Sequence, residues 1–309
     1  MIPVYNPPAN YLEQTLRSVL QQAPEASQMQ IEVVDDCSSS VDVKKMVESI
    51  AGPRVAVSKT PKNLGLAGCW NACVERSRGE WVHILHQDDI VQPGFYAALR
   101  KAADDPKTGA AFCRHATINS NGNWLSISAL HRETPGILEN WSEEISMRQQ
   151  IQCPAIVVRR AAFERLGSFR PQFRYVLDWE MWQRIAAKYA FWFEPTILAG
   201  YRVHSGSETS KLQLEGADIQ EVEDMINLTM TYHPASRAPI LAKQARTFWA
   251  EVAVKNSRRL LVAGQSSAAW KQIGGAVSMA RNWPVVCEFF SFLVLRARLA
   301  GARLKQSFR

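Results

Sequence analysis

One stretch constrains the chain more than any other: Glu80-Trp81-Val82-His83-Ile84-Leu85-His86-Gln87-Asp88-Asp89. Trp81 to Leu85 is an apolar run of strand length, the pattern of a strand buried on both faces, as in a parallel sheet covered by helices. It ends in two adjacent carboxylates. In open α/β sheets ligands sit just beyond the carboxyl ends of the strands, so Asp88 and Asp89 stand where a ligand would. Neighbouring carboxylates repel each other, and a divalent cation relieves that repulsion. Hard oxygen donors of this kind suit Mg²⁺ or Mn²⁺, usually shared with a substrate's phosphates. The plainer reading of an isolated Asp-Asp is a strand-to-helix turn, with Asp89 capping before Pro93-Gly94.

The preceding segments argue against the plainer reading. Met1 to Asn6 reads as the tail of a strand entering a Pro-rich turn, Asn6-Pro7-Pro8, and is expected to lack leading residues of that strand. Tyr11 to Gln22 repeats Leu12, Leu16, Val19 and Leu20 at helical spacing. Ile31 to Val34 predicts a second strand, and it too ends in paired acids, Asp35-Asp36, before Cys37-Ser38-Ser39-Ser40. A helix over Val43 to Ala51, a strand over Arg54 to Ser58, a loop at Asn63-Leu64-Gly65 and a helix over Leu66 to Ser77 lead back to the central strand. Strands and helices alternating at short intervals predict an α/β fold with a mostly parallel sheet flanked by helices. Such a sheet brings two acid pairs to one edge, where unpaired carboxylates are costly.

Downstream, Phe95 to Ala103 predicts a helix and Ala110 to Arg114 a strand. Residues 115–150 form an irregular insertion with turn chemistry at Asn121-Gly122-Asn123. Its Trp124, His131, Arg132 and Trp141 suit either a sugar platform or anchors that fasten the loop. Ile151 to Val158 predicts a strand, Ala161 to Leu166 a short helix, Leu177 onward a helix, and Phe191 to Phe193 a short strand before the polar segment Tyr201 to Ser207. A domain over 1–212 is therefore expected, followed by a helix-only extension over 213–309, with periodicity over Leu214 to Met230, Ala238 to Val262 and Ser267 to Arg281.

The last segment sets Phe289 to Leu295 before Arg296, Arg298, Arg303, Lys305 and Arg309. An apolar block followed by a basic helix suits either membrane association at 285–309 or packing on the domain with a solvated basic end. Net charge is +7, which suits anionic partners: nucleotide phosphates, nucleic acid or an acidic membrane surface. No apolar stretch approaches the ~20 residues of a membrane span, and the N-terminus lacks a signal-peptide pattern. The six cysteines carry no CxxC pair and read as reduced thiols, so the expected location is cytoplasmic, peripheral at the inner membrane face on the first of the two readings of 285–309.

Together these segments resemble the family 2 nucleotide-sugar glycosyltransferases of the GT-A fold. Ile2-Pro3-Val4-Tyr5-Asn6 is similar to the family's opening strand and loop, and Val33-Val34-Asp35-Asp36-Cys37-Ser38 to its second-strand motif. Asn63-Leu64-Gly65, Asn71 and Gly79-Glu80 match its central helix. Leu85 to Asp89 resembles its metal motif, and Gly167-Ser168-Phe169 a downstream signature. Leu177-Asp178 with Trp182 and Arg184 resembles the catalytic-base motif, and Tyr201-Arg202-Val203-His204 completes the set. The resemblance spans residues 1 to about 210.

It implies that Pro3 and Tyr5 lie beside the nucleotide base and that Asp36 hydrogen-bonds it. Asp88 would bind the ribose side, Asp89 a divalent Mn²⁺ or Mg²⁺, with His204 approaching the metal or diphosphate, and Asp178 would be the general base. The implied activity is inverting, metal-dependent transfer from a nucleoside-diphosphate sugar, UDP favoured, to a glycan or lipid-linked hydroxyl acceptor, as in surface polysaccharide or glycolipid synthesis. No nucleic-acid partner is expected. Three departures stand out: His86 where the family often has Asp, Cys37 where Gly is frequent, so that the turn is expected to avoid positive φ, and Leu177 where a Glu often precedes the base. Two competing readings remain. A nucleotidyltransferase or dinucleotide enzyme would carry a Gly-rich phosphate loop where Asn6-Pro7-Pro8 stands. A non-catalytic sugar-nucleotide or glycan-binding module of the same fold would not need Asp36, Asp88, Asp89 and Asp178 together.

Overall fold

A computed structural model describes residues 1–204, 206, 208–280 and 283–307, with the side chains of 283, 284 and 299–307 excepted. The sequence readings at Ser205, Ser207, Arg281, Asn282, Arg303, Lys305 and Arg309 lie outside this described set.

Three short parallel strands, β1 (Ile2–Val4), β2 (Glu32–Asp35) and β3 (Ala56–Lys59), form one sheet in the order β1-β2-β3. Helices α1 (Ala9–Leu20), α2 (Val43–Ala51) and α3 (Gly65–Arg76) connect and flank them. The reason α1 packs is plain: Leu12, Leu16 and Val19 recur at helical spacing and are at most 2% exposed. Full burial of such a side chain contributes roughly 1.5–3 kcal/mol.

The central run forms less regular strand than its composition predicts. Only β4 (Trp81–Val82) lies in a ladder, paired antiparallel to β9 (Ile156–Arg159). The next residues instead bond to β1: the Met1 amino group donates to the His83 carbonyl at 2.9 Å, and Leu85 N–H donates to the Met1 carbonyl at 3.0 Å. Those two bonds place the Asp88-Asp89 loop beside the end of β1, as the buried-strand reading requires.

β5 (Ile90–Val91), α4 (Phe95–Leu99), β6 (Thr108–Ile118), β7 (Trp124–Ile127), β8 (Gly136–Ile137), α5 (Trp141–Met147), β9, α6 (Arg160–Leu166), α7 (Leu177–Ala186) and β10 (Ala190–Arg202) follow. The second sheet runs β4-β9-β6-β10-β5, with β7 on β6 and β8 on β10. β6 and β10 pair in parallel; the remaining ladders of this sheet are antiparallel. β10 is far longer than the expected strand over Phe191 to Phe193. It survives Pro195 through register shifts between Glu194 and Ala199, so the proline sits at an irregularity where no ladder bond is lost. One apolar core spans both sheets, joining Ile2, Val33, Leu85, Phe95, Ala111, Val157 and Trp192.

By contact density the chain divides into two compact units, Met1–Ile145 with Gln149–His204, and Ser146–Arg148 with Ser205–Arg309. The second is helical: α8 (Glu208–Glu215), α9 (Ala217–Thr229), α10 (Ala238–Val262), α11 (Ser266–Met279) and α12 (Trp283–Ser307). The single helix expected over Leu214 to Met230 is two helices, broken at Gly216, whose φ of 72° is left-handed. Buried alanines, among them Ala245, Ala253, Ala269 and Ala276, let α10 and α11 approach closely. Among the described residues no helix is long and apolar enough to cross a membrane.

Candidate active site

The loop after β2 is held by carboxylates turned inward. Asp36 is 2% exposed. One carboxylate oxygen accepts the Leu64 N–H at 2.7 Å and the Thr60 hydroxyl at 3.1 Å, and the other accepts the Gly65 N–H at 3.0 Å. It thereby fixes the entry to α3, where Gly65 adopts a φ of 72°. Asp35 does the same for its own loop, accepting Ser38 N–H at 2.8 Å. Cys37 has a φ of 61°, contrary to the expectation that replacing glycine there avoids positive φ. The turn geometry is kept, and a non-glycine residue bears the strain.

Asn6 and Gln87, to which the sequence assigned no role, fasten this edge together. Asn6 Oδ1 accepts the N–H groups of Ser39 and Ser40 and the Ser40 hydroxyl, while its own N–H donates to Ser38 Oγ. Gln87 Oε1 accepts Tyr5 N–H at 2.8 Å, tying the β1 loop to the acid loop. Of the two residues assigned to the nucleotide base, Tyr5 is 48% exposed at this rim, whereas Pro3 is buried in β1 opposite Val34.

Asp89 is 1% exposed. Its Oδ1 accepts Arg202 N–H at 2.8 Å, and its buried Oδ2 has no hydrogen-bond partner. Burial first, and then the neighbouring Asp88 charge, push the Asp89 carboxyl well above the usual carboxylate range, against the opposing pull of Arg202. Asp88 is less enclosed and meets His204 Nε2 at 2.9 Å. His86, three residues before Asp89, places Nδ1 3.5 Å from Asp89 Oδ2 and packs its ring, tilted by 32°, 4.7 Å from that of Trp70 in α3. Burial lowers the His86 pKa, so the ring is a neutral nitrogen donor. Ligand atoms of His86, Asp88 and Asp89 all lie within 4.8 Å of one another. One imidazole and two carboxylates, one of them with a buried oxygen that lacks a partner, fit Mn²⁺ or Mg²⁺. His204 stands behind Asp88 in this arrangement, and His86, noted in the sequence only as a departure, joins the acids.

Arg202, at the end of β10, ties the site together. Besides its N–H bond to Asp89, its guanidinium donates to the carbonyls of Asp88, Asn119 and Ser120 and to Gln14 Oε1, and it lies over the Tyr11 ring.

Asp178 lies in the first turn of α7, half-buried. Burial raises its carboxyl from 3.8 to about 7, partly opposed by hydrogen bonds from the Trp179 N–H at 2.7 Å and the Gln149 side chain. No neighbouring carboxylate is needed to tune it. The buried Cys153 thiol is pushed up by burial and by the charges of both Asp178 and Asp89, so both acids lie within electrostatic reach of one residue. Glu180, fully buried, pairs with Arg170 at 3.1 Å and Arg184 at 2.9 Å, and Arg184 also donates to the carbonyls of Leu166 and Ser168. Asn71 exchanges two hydrogen bonds with the Phe169 backbone. These contacts lock the loop before α7, and with it Asp178, against α3.

A parallel nucleotide-type sheet followed by a mixed sheet, with acids at the join, defines the GT-A fold. The model for the glycosyl transferase family 2 matches residues 1–167, and the chain belongs to that family. An uncharacterised protein of Mycobacterium tuberculosis is 27% identical over 230 residues, 68% of each chain. An N-acetylglucosaminyltransferase of Mesorhizobium japonicum is 34% identical over 128 residues, 41% of this chain but only 30% of that relative's length. Among solved structures, residues 1–349 of Staphylococcus aureus TarS align with a TM-score of 0.63 at 14% identity, covering 90% of this chain and 79% of that fragment. The mannosyltransferase PcManGT of Pyrobaculum calidifontis, solved with GDP-Man and Mn²⁺, aligns with a TM-score of 0.59 at 18% identity, covering 99% and 81%. These likenesses establish the fold.

Proposed function

We propose that the chain is an inverting glycosyltransferase that moves a sugar from a nucleoside-diphosphate sugar, UDP favoured, to a hydroxyl of a glycan or lipid-linked acceptor. The observation that carries this reading is Asp178, a carboxylate whose pKa of about 7 matches a general base working at neutral pH. Family membership supplies the reaction class. The N-acetylglucosaminyltransferase similarity supports an N-acetylglucosamine donor.

In this mechanism Tyr5 flanks the nucleotide base at the exposed rim, Pro3 supports it from within β1, and Asp36 holds the loop wall and offers its remaining acceptor capacity. Asp88 lies toward the ribose side, oriented by His204. His86 and Asp89 would hold Mn²⁺ or Mg²⁺, which when bound neutralises charge on the leaving diphosphate. His204 serves that centre through Asp88. Asp178 accepts the proton of the acceptor hydroxyl as that oxygen attacks the anomeric carbon, and the leaving nucleoside diphosphate departs from the opposite face. A single base and one displacement give inversion. Residues 213–309 form a helical extension in this reading. Peripheral attachment through 285–309 to an anionic inner leaflet is supported by exposed Phe290 and Val294, one turn apart on α12, near exposed Arg298.

The test is thermal stability of the purified protein with a panel of nucleoside diphosphates, with and without Mn²⁺. A base-selective, metal-dependent rise in Tm follows from preferential binding to the native state. No rise with any nucleotide in a folded sample would overturn the reading.

A further inference from the structure

The hairpin of β6 and β7 carries an apolar surface that the donor site does not use. Trp124, Leu125, Ile127 and Leu130 are 53%, 59%, 51% and 51% exposed, within seven residues. All four residues of β7 are exposed. A register shift gathers the apolar groups: Ile127 pairs with Ala116, Ser126 with Thr117, and Trp124 with Ile118, leaving Leu125 as the extra residue of a bulge. In an unbroken ladder Trp124 and Ile127 would point to opposite faces. The bulge sets both on the face shared by Ala116 and Ile118.

The surrounding charge narrows the occupant. No Asp or Glu occurs between Asp105 and Glu133, while Arg114 and Arg132 fall within that span. Arg114 donates both hydrogen bonds to the Ser128 carbonyl, and Arg132 donates to the Ile137 carbonyl and the Thr134 hydroxyl. Among the described residues neither guanidinium has a carboxylate partner. Two copies meeting through this face would bring like charges together, which disfavours self-association. An anionic surface meets the same charges favourably. The outer edge of β7 also leaves backbone groups that must stay hydrated, so deep insertion into hydrocarbon is ruled out. A tryptophan flanked by Leu and Ile, beside uncompensated arginines, suits the headgroup boundary of a bilayer.

We propose that the β6–β7 hairpin is a membrane-docking element that seats Trp124, Leu125 and Ile127 in the interface of an anionic lipid bilayer. The hairpin is rigidly coupled to the acid loop: its turn is closed by Asn119 Oδ1, which accepts the N–H groups of Asn121 and Asn123. Arg202 then bonds the carbonyls of Asn119 and Ser120 while holding Asp88 and Asp89. Docking would therefore fix the orientation of the acid loop to the bilayer. If the glycosyltransferase reading holds, a lipid-linked acceptor is the substrate class that benefits.

The experiment compares the full chain with the W124S/I127S variant. It measures co-sedimentation with phosphatidylcholine vesicles, with and without phosphatidylglycerol. Wild type is expected to bind the phosphatidylglycerol vesicles and the variant roughly ten- to a hundredfold more weakly, with an unchanged Tm and unchanged nucleotide-induced stabilisation. Equal vesicle binding by the two proteins, or no vesicle binding by wild type, overturns the proposal. A wild-type dimer that the substitution dissociates, with vesicle binding unaltered, assigns the face to a second copy instead and equally overturns it. Loss of nucleotide stabilisation in wild type would sink the enzymatic reading alone, because the vesicle comparison does not depend on it.

Discussion

Replacing Asp178 by Asn should disable the protein and stabilise it at once. The folded structure holds this carboxyl at about 7 against 3.8 for the free group, and burial is the main cause. Between those pH values the folded chain keeps a proton that the unfolded chain has released, so stability falls as pH rises through this window. Below 3.8 the group costs nothing; above 7 the cost is complete. About three pKa units correspond to at most ~4 kcal/mol. Because the side chain is half-buried and keeps hydrogen bonds from Trp179 and Gln149, we expect a gain of roughly 1–3 kcal/mol for Asp178→Asn at pH 8. The gain should vanish at pH 4. Loss of a general base should lower turnover by about 10²–10⁴. Denaturant unfolding at pH 4 and pH 8, alongside nucleoside-diphosphate release from donor and acceptor, measures both effects. A variant less stable than wild type at pH 8, or one retaining turnover within tenfold or so of wild type, would refute the assignment. A purely structural carboxylate loses stability on substitution and shows no such pH signature.

Asp89→Asn removes one of two crowded carboxylates, so the metal-free protein should melt at the same or a higher temperature than wild type, while the Mn²⁺-dependent part of nucleotide stabilisation disappears. Calorimetric melts with and without Mn²⁺ check both halves, and a surviving metal response would move the cation elsewhere. Glu180→Ala leaves Arg184 buried without its carboxylate partner and should destabilise the fold by about 3–5 kcal/mol; urea unfolding that finds less than about 1 kcal/mol would show that the pair does not hold the loop before α7.

Much of the architecture was legible because burial leaves a periodic trace. Leu12, Leu16 and Val19 announce α1, and the apolar runs ending in acids announce the sheet edge. The sequence understated β10 because Glu194 and Pro195 interrupt the apolar pattern, and it cannot show that register shifts carry the ladder past them. It overstated β4, where His83 to Leu85 bond to Met1 rather than extend a regular ladder. Asp88 and Asp89 stood out because paired carboxylates close an apolar run, whereas Asp178 was legible only through the resemblance to the family's catalytic-base motif. The roles of Asn6, Gln87 and Arg202 were not legible, since each acts through partners 32 to 188 residues away. Cys37 misled for a different reason: a residue type forecasts comfort at positive φ, and here a non-glycine is held there by Ser38 and Asn6 on one side and Asp36 on the other.

Arg202 has a consequence for how this site can diverge. A single guanidinium spends its donors on main-chain carbonyls at 88, 119 and 120, and those contacts specify where the chain runs but not which side chains it carries. The Ser120 side chain can therefore be exchanged without loss of these bonds. An insertion between Ile118 and Ser120 would instead pull on the arginine and, through it, on the acid loop. The path of the main chain through the hairpin's turn is thus set by the same side chain that holds the acid loop, whatever side chains the turn carries.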